Sequence, residues 1–171
     1  MNETKPRQRF RAAVTTTATP EAVYDVLADL RTHLVWAGEE APATNFRLLT
    51  MDAPDRPAQA GDTFSSTGSA DGKARQQFHD RSTVVVAERP RRFGFDTEAT
   101  LHRAHAKTWH ANFRTRYGIE PAPGGGSVIT HTSEVRPGNY VPYWLRAGVR
   151  RMTRSMVERS VSALHGLDRY W

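Results

Sequence analysis

The sequence contains no cysteine. That excludes disulfides, thiolate metal sites and a thiol nucleophile together. It also lacks any run near the roughly 18 apolar residues that a membrane-crossing helix needs. The opening MNETKPRQRF carries basic residues but no apolar segment, unlike a secretory leader. We therefore expect a cytoplasmic protein that does not span a membrane. Acidic residues are the scarcer charge: 18 Asp and Glu against 24 Lys and Arg leave a formal net charge of +6. Such a surplus attracts anionic partners. No helix-turn-helix spacing, zinc-finger spacing or aromatic ribonucleoprotein motif accompanies it, so no specific nucleic-acid partner is expected. The excess reads as an arginine-rich, solvated surface.

What is present is organised around the last stretch. From Tyr143 to Trp171, apolar residues recur at Leu145, Val149, Met152, Met156, Ala163, Leu167 and Trp171. Steps of three and four predict one long amphipathic helix. Its other side carries Arg146, Arg150, Arg154, Glu158 and Arg159. A chain of 171 residues fits one domain, 1–171, with a core of its own.

The rest of the chain alternates. Residues 7–17 predict a first strand, and Thr19-Pro20-Glu21 then reads as a helix start: hydroxyl cap, proline in the first turn, acid at the positive end. Val23, Val26, Leu27 and Leu30 give that helix an apolar face. A second short helix is expected around 31–37. Strands follow near Phe46–Thr50, Asp62–Ser69 and Gln76–Glu88, with a loop over 53–61 and an Asp71-Gly72 hairpin turn. Phe93, Phe95, Thr97, Ala99 and Leu101 share one face of a fifth strand. Trp109, Ala111, Phe113, Thr115 and Tyr117 share one face of a sixth. Ser127–Val135 closes the set. Short links between strands mean an antiparallel sheet, and helices at the ends mean an α+β architecture. Six to seven twisted strands are expected to curl around the terminal helix.

Three stretches carry a family likeness. They are the strand and T-x-x-x-x-P-E-A-V-Y-D-V-L-A-D-L segment over 14–36, the pair around R-S-T-V-V-V-A-E-R-P-R-R-F-G-F, and G-G-G-S-V-I-T-H-T-S-E-V before the last helix. With these the chain resembles the START-like (SRPBCC) superfamily, in particular its polyketide cyclase/dehydrase-type members. The resemblance implies a helix-grip fold: a curved antiparallel sheet wrapped around the long C-terminal helix, with two short helices after strand one. It implies a cavity between sheet and helix for a hydrophobic or aromatic small molecule. It also implies a rival role, cyclase, aromatase or dehydratase chemistry in that cavity. It carries no shared catalytic residue.

Ligand-binding candidates are Trp36, Phe93, Phe95, Trp109, Phe113, Tyr117, Met152 and Met156. The same side chains would serve equally in a filled core. Asp80 and Tyr117 are the catalytic candidates: a buried Asp would have a raised pKa unless paired, for instance with Arg114. Glu134 is expected near the pocket end, pointing inward. His102, His105, His110 and His131 straddle a turn, and an arginine neighbours them, so no metal is expected. The Gly124–Gly126 triplet lacks the lysine of a phosphate loop and precedes a strand. No cofactor is implied. A protein or anionic-lipid partner for the basic helix face, and pairing with a second copy of the chain, stay open.

Overall fold

Alternation becomes geometry strand by strand. The structure, a computed structural model, describes residues 8–35, 47–69, 76–103, 108–137 and 154. The strands are β1 (Gln8–Thr16), β2 (Arg47–Asp52), β3 (Thr63–Ser69), β4 (Gln76–Glu88), β5 (Arg92–Arg103), β6 (Trp109–Pro121) and β7 (Ser127–Pro137). They form one seven-stranded sheet in the order β1-β7-β6-β5-β4-β3-β2. Every neighbouring pair is antiparallel. From β2 to β7 the sheet is a plain meander. β1 joins at the far side of β7, so the first strand pairs with the last.

One α-helix, α1 (Pro20–Ala28), follows β1, as its sequence predicts. Thr19 caps it, accepting from the Ala22 N–H at 3.3 Å. Its buried side, Val23, Tyr24, Val26, Leu27 and Ala28, lies against β5 and β6. Fully buried side chains such as Val23 and Leu27 each contribute about 1.5–3 kcal/mol. Tyr24 meets Phe93 edge-on, with ring centroids 6.1 Å apart. Where the second short helix is expected, a 3-10 turn spans Leu30–Thr32 and helical backbone continues over 33–35; residues 36 and 37 lie outside the described ones.

The expected fold class needs correction. Among the described residues there are seven strands, one α-helix and one 3-10 turn, and the helix that packs on the sheet is α1. The sheet fits a helix-grip protein; among the described residues no long helix is wrapped by it. The terminal stretch lies outside the described residues apart from Arg154, which is exposed. The physical reason for the miss is plain: periodicity within one segment shows an apolar stripe, not the surface it rests on. The Asp71-Gly72 turn, Trp36, Met152 and Met156 also lie outside the described residues.

Three features shape the sheet locally. The β4–β5 register shifts between Val84 and Val86, and the extra residue, Val85, is pushed into solvent at 40% exposure. The β2–β3 register shifts likewise between Leu48 and Thr50, leaving Leu49 exposed. At the other end, Gly126 has φ +78, and a Cβ there would run into the Thr16 carbonyl. Its bareness lets Ser127 tuck in beside β1, where Ser127 Oγ donates to the Ala18 carbonyl at 2.7 Å.

Candidate functional site

Directly opposed residues in an antiparallel ladder share a face, so the registers sort the sheet into two. On the inner face, Ala12, His131, Tyr117 and Phe93 form one row. Val84, Phe95, Thr115 and Ser133 form the next. Phe64, Ser82, Thr97, Phe113 and Val135 follow, and then Ser66, Asp80, Ala99 and Ala111. Phe78, Leu101 and Trp109 stand at the end.

These rows change character along the strands. Near α1 they belong to a closed core that holds Phe93, Tyr117, Ile119, Ile129, Leu27 and Leu30. Farther on the face gains hydroxyls: Ser66, Ser82, Thr97, Thr115 and Ser133 are all buried. Ser82 Oγ and Thr97 Oγ1 share a hydrogen bond of 2.7 Å. Among them stands one carboxyl, Asp80. Its Oδ1 is buried with no hydrogen-bond partner among the described residues. Burial pushes its pKa up to about 7, because a charge there has lost its water without gaining a counter-charge.

The structure brings together five of the ligand-binding candidates on this face. Phe93 and Tyr117 lie inside the core beneath α1, 0% and 4% exposed. Phe95 is half-buried and bridges to the polar part, 5.2 Å from Phe64 and 6.4 Å from His33, measured between ring centroids. Phe113 and Trp109 are half-buried farther along. Tyr117 stacks on His131 at 4.7 Å, with the rings within 20° of parallel. Burial raises the Tyr117 hydroxyl pKa, so it keeps its proton. Burial lowers the His131 imidazole to about 4, so it stays neutral. His33, also buried, sits 3.1 Å by Nε2 from the Leu27 carbonyl and is likewise lowered to about 4, mainly by burial.

Of the two alternatives for Asp80, the unpaired one holds, and the inward direction expected of Glu134 does not. Arg114 is not a partner for Asp80; it lies on the outer face, 3.7 Å from Asp96. Glu134 does not point inward. It follows Ser133 and precedes Val135, both buried inward, so the period of two turns it outward, 3.8 Å from Arg9. Sequence reading missed Ser66, and missed that Thr97 completes a hydroxyl pair with Ser82. The signal was there in the alternation, but β3 is poor in apolar residues and its inward side chains looked like surface. Of the histidines, His102 lies 5.4 Å from His79 between ring centroids, His110 bonds Thr100 at 3.2 Å, and His105 is outside the described residues. Among the described residues no group of three His, Asp or Glu converges as metal ligands.

A groove of about 550 Å³ runs over the outer face, lined by Arg81, Arg114, Arg136, Asp96, Glu98 and Glu134 among others. Its charges answer one another across the strands: Arg81 faces Glu98, and Asp96 faces Arg114, which faces Glu134. This is a self-neutralised solvent face, and its size does not make it the chemical site.

The family model described as polyketide cyclase / dehydrase and lipid transport matches residues 7–167. The chain belongs to that family. No curated protein matches the sequence. Among solved structures, this polyketide cyclase/dehydrase-family chain is similar to an uncharacterised protein of Rhizobium leguminosarum, with a TM-score of 0.66 and 14% identity over 93% of this chain and 95% of that one. It is similar also to a Rhizobium loti protein, with a TM-score of 0.64 and 16% identity over 92% and 97%. A conserved protein of Geobacillus kaustophilus gives 0.63 and 11% over 91% of each. At these identities the likeness is one of fold.

Proposed function

We propose that the protein binds a hydrophobic or aromatic small molecule against the inner face of the sheet, on the ground between the α1 core and the Phe78–Leu101–Trp109 end. The observation that carries this reading is Asp80: a buried carboxyl atom lacking a partner among the described residues, set between Phe78 and a hydroxyl pair on the face that also holds the half-buried Phe95, Phe113 and Trp109. A few aimed polar groups on an apolar wall are the usual makings of a small-molecule site. The family's description supports it too, since it joins cyclase and dehydrase activities with lipid transport. Apolar burial at about 25 cal/mol per Å² would supply most of the affinity. The test is native mass spectrometry of the purified protein for a co-purified ligand, followed by thermal denaturation with and without that ligand. A binder gains stability with the logarithm of ligand concentration once the ligand exceeds its Kd. An unchanged midpoint at saturating ligand refutes the reading.

A second reading is cyclase or dehydratase chemistry on the same face. A carboxyl with a pKa about 7 takes up and gives back a proton at neutral pH, which is what general acid–base catalysis requires. Under this reading the face folds a flexible substrate into a reactive conformer, and Asp80 moves the proton. Asp80→Asn then abolishes turnover while the circular dichroism spectrum stays unchanged. Full turnover in that variant removes Asp80 from the mechanism.

A further inference from the structure

On the reading that the inner face is a small-molecule site, we infer that Asp80 selects the ligand: the molecule taken is apolar with a hydrogen-bond donor at one end, an amine or a hydroxyl, and carboxylates are rejected. The inference comes from what surrounds the carboxyl. Its ladder partners are Ser66 on β3 and Ala99 on β5. Its diagonal neighbours are Phe64, Gly68, Thr97 and Leu101, and along its own strand the same face holds Phe78 and Ser82. No arginine or lysine stands among these neighbours. The charged residues adjacent in sequence or register, Arg81 and Glu98, lie on the other face, where both are exposed.

A buried acceptor without a donor is costly, and more so when charged. The protein's own nearby hydroxyls are partly committed. Ser82 and Thr97 spend one of their two protons on the bond between them. Among the described residues no donor bonds Asp80 Oδ1, Ser66 opposite it included, and a ligand amine or hydroxyl supplies one. An amine supplies a positive charge as well, and a charge-assisted hydrogen bond is shorter and stronger than a neutral one. Above about pH 7, where Asp80 is ionised, a ligand carboxylate would place like charge against like charge in the same dry setting, and that repulsion excludes it.

The experiment uses the full chain and four naphthalene probes of matched size, titrated by calorimetry at pH 8: methylnaphthalene, naphthylmethylamine, naphthylmethanol and naphthoate. Methylnaphthalene tests the site itself. If none of the four binds, the small-molecule reading falls and this inference with it. If methylnaphthalene binds and naphthoate binds as tightly as the amine, the site stands and donor selection is overturned. The expected result is that the amine binds at least about tenfold tighter than naphthoate. The alcohol separates the two donors: affinity level with the amine marks a neutral donor as sufficient, and affinity near methylnaphthalene marks a cation as required. In Asp80→Asn, the gap between amine and naphthoate closes. A gap that persists in a folded variant assigns selection elsewhere. Should the variant not fold, the order of affinities in the unaltered protein decides alone.

Discussion

Arg116 lies across Gly94, its partner in the β5–β6 ladder. From there its guanidinium donates to the Phe95 carbonyl at 2.9 Å and to Asp96 at 2.6 Å. A Cβ at position 94 would meet Arg116 Cδ at 2.6 Å and the Thr115 carbonyl at 2.7 Å. The side chain can swing away; the carbonyl cannot without moving the strand. Gly94→Ala is therefore expected to destabilise by about 1–3 kcal/mol, the usual cost of overpacking. Urea unfolding followed by fluorescence measures it. An unchanged midpoint would mean that β5 and β6 can part at no cost.

Asp80 should weaken the fold in alkali. Its folded pKa, about 7, lies above the ordinary value of 3.8. Between those values the unfolded chain is ionised and the folded one is protonated, so stability falls as pH rises and the penalty is complete above about 7. Asp80→Asn removes the ionisation. We predict a melting temperature higher than that of the unaltered protein at pH 8, by an amount that shrinks toward zero near pH 4. The relevant comparison is a pair of melting curves at each pH. A constant offset would show that the effect is not ionisation.

The buried histidines act the other way. His33 and His131 are lowered to about 4 by burial. Below pH 6.5 the unfolded chain takes up protons that the folded one refuses, so stability drains away as pH falls from about 6.5 toward 4. Replacing both with phenylalanine should flatten the stability–pH slope in that window, whatever the change in absolute stability. Denaturant titrations across the window read the slope. An equally steep loss in the double variant would place the acid sensitivity elsewhere.

Thr19→Ala should cost about 1 kcal/mol through the lost cap of α1. Because α1 lies over β5 and β6, the loss should appear in global unfolding and not only as fraying at the helix end. Hydrogen exchange at Val23 and Tyr24 distinguishes the two.

These predictions rest on parts of the chain that its sequence reveals to different degrees. β4 runs over Gln76–Glu88, the span its pattern predicts, because alternation over many residues leaves little choice of face. The same rule set Phe93, Phe95, Phe113 and Tyr117 on one face and kept Asp96 and Glu98 off it. The Val85 bulge had no signal, since a run of three valines looks alike whether or not one is extra. Ser66 was hidden because hydroxyls serve both exposed and buried positions. The setting of Asp80 was half legible: its face followed from Phe78 and Val84, but the lack of a nearby cation depended on which strands became its neighbours. The long terminal helix rests on its stripe alone, and apart from Arg154 that stretch lies outside the described residues; the helix seen on the described sheet is α1, against β5 and β6.

The insertion of β7 beside β1 has a consequence for how the protein is made. Gln8 must find Val135, and Thr16 must find Ser127. A chain emerging from the ribosome holds its first strand idle, with ladder groups bare, until nearly every later strand has been synthesised. Assembly governed by such distant pairings is slow, and the waiting strand is the place where a nascent chain would most readily be captured by a chaperone or by another copy of itself.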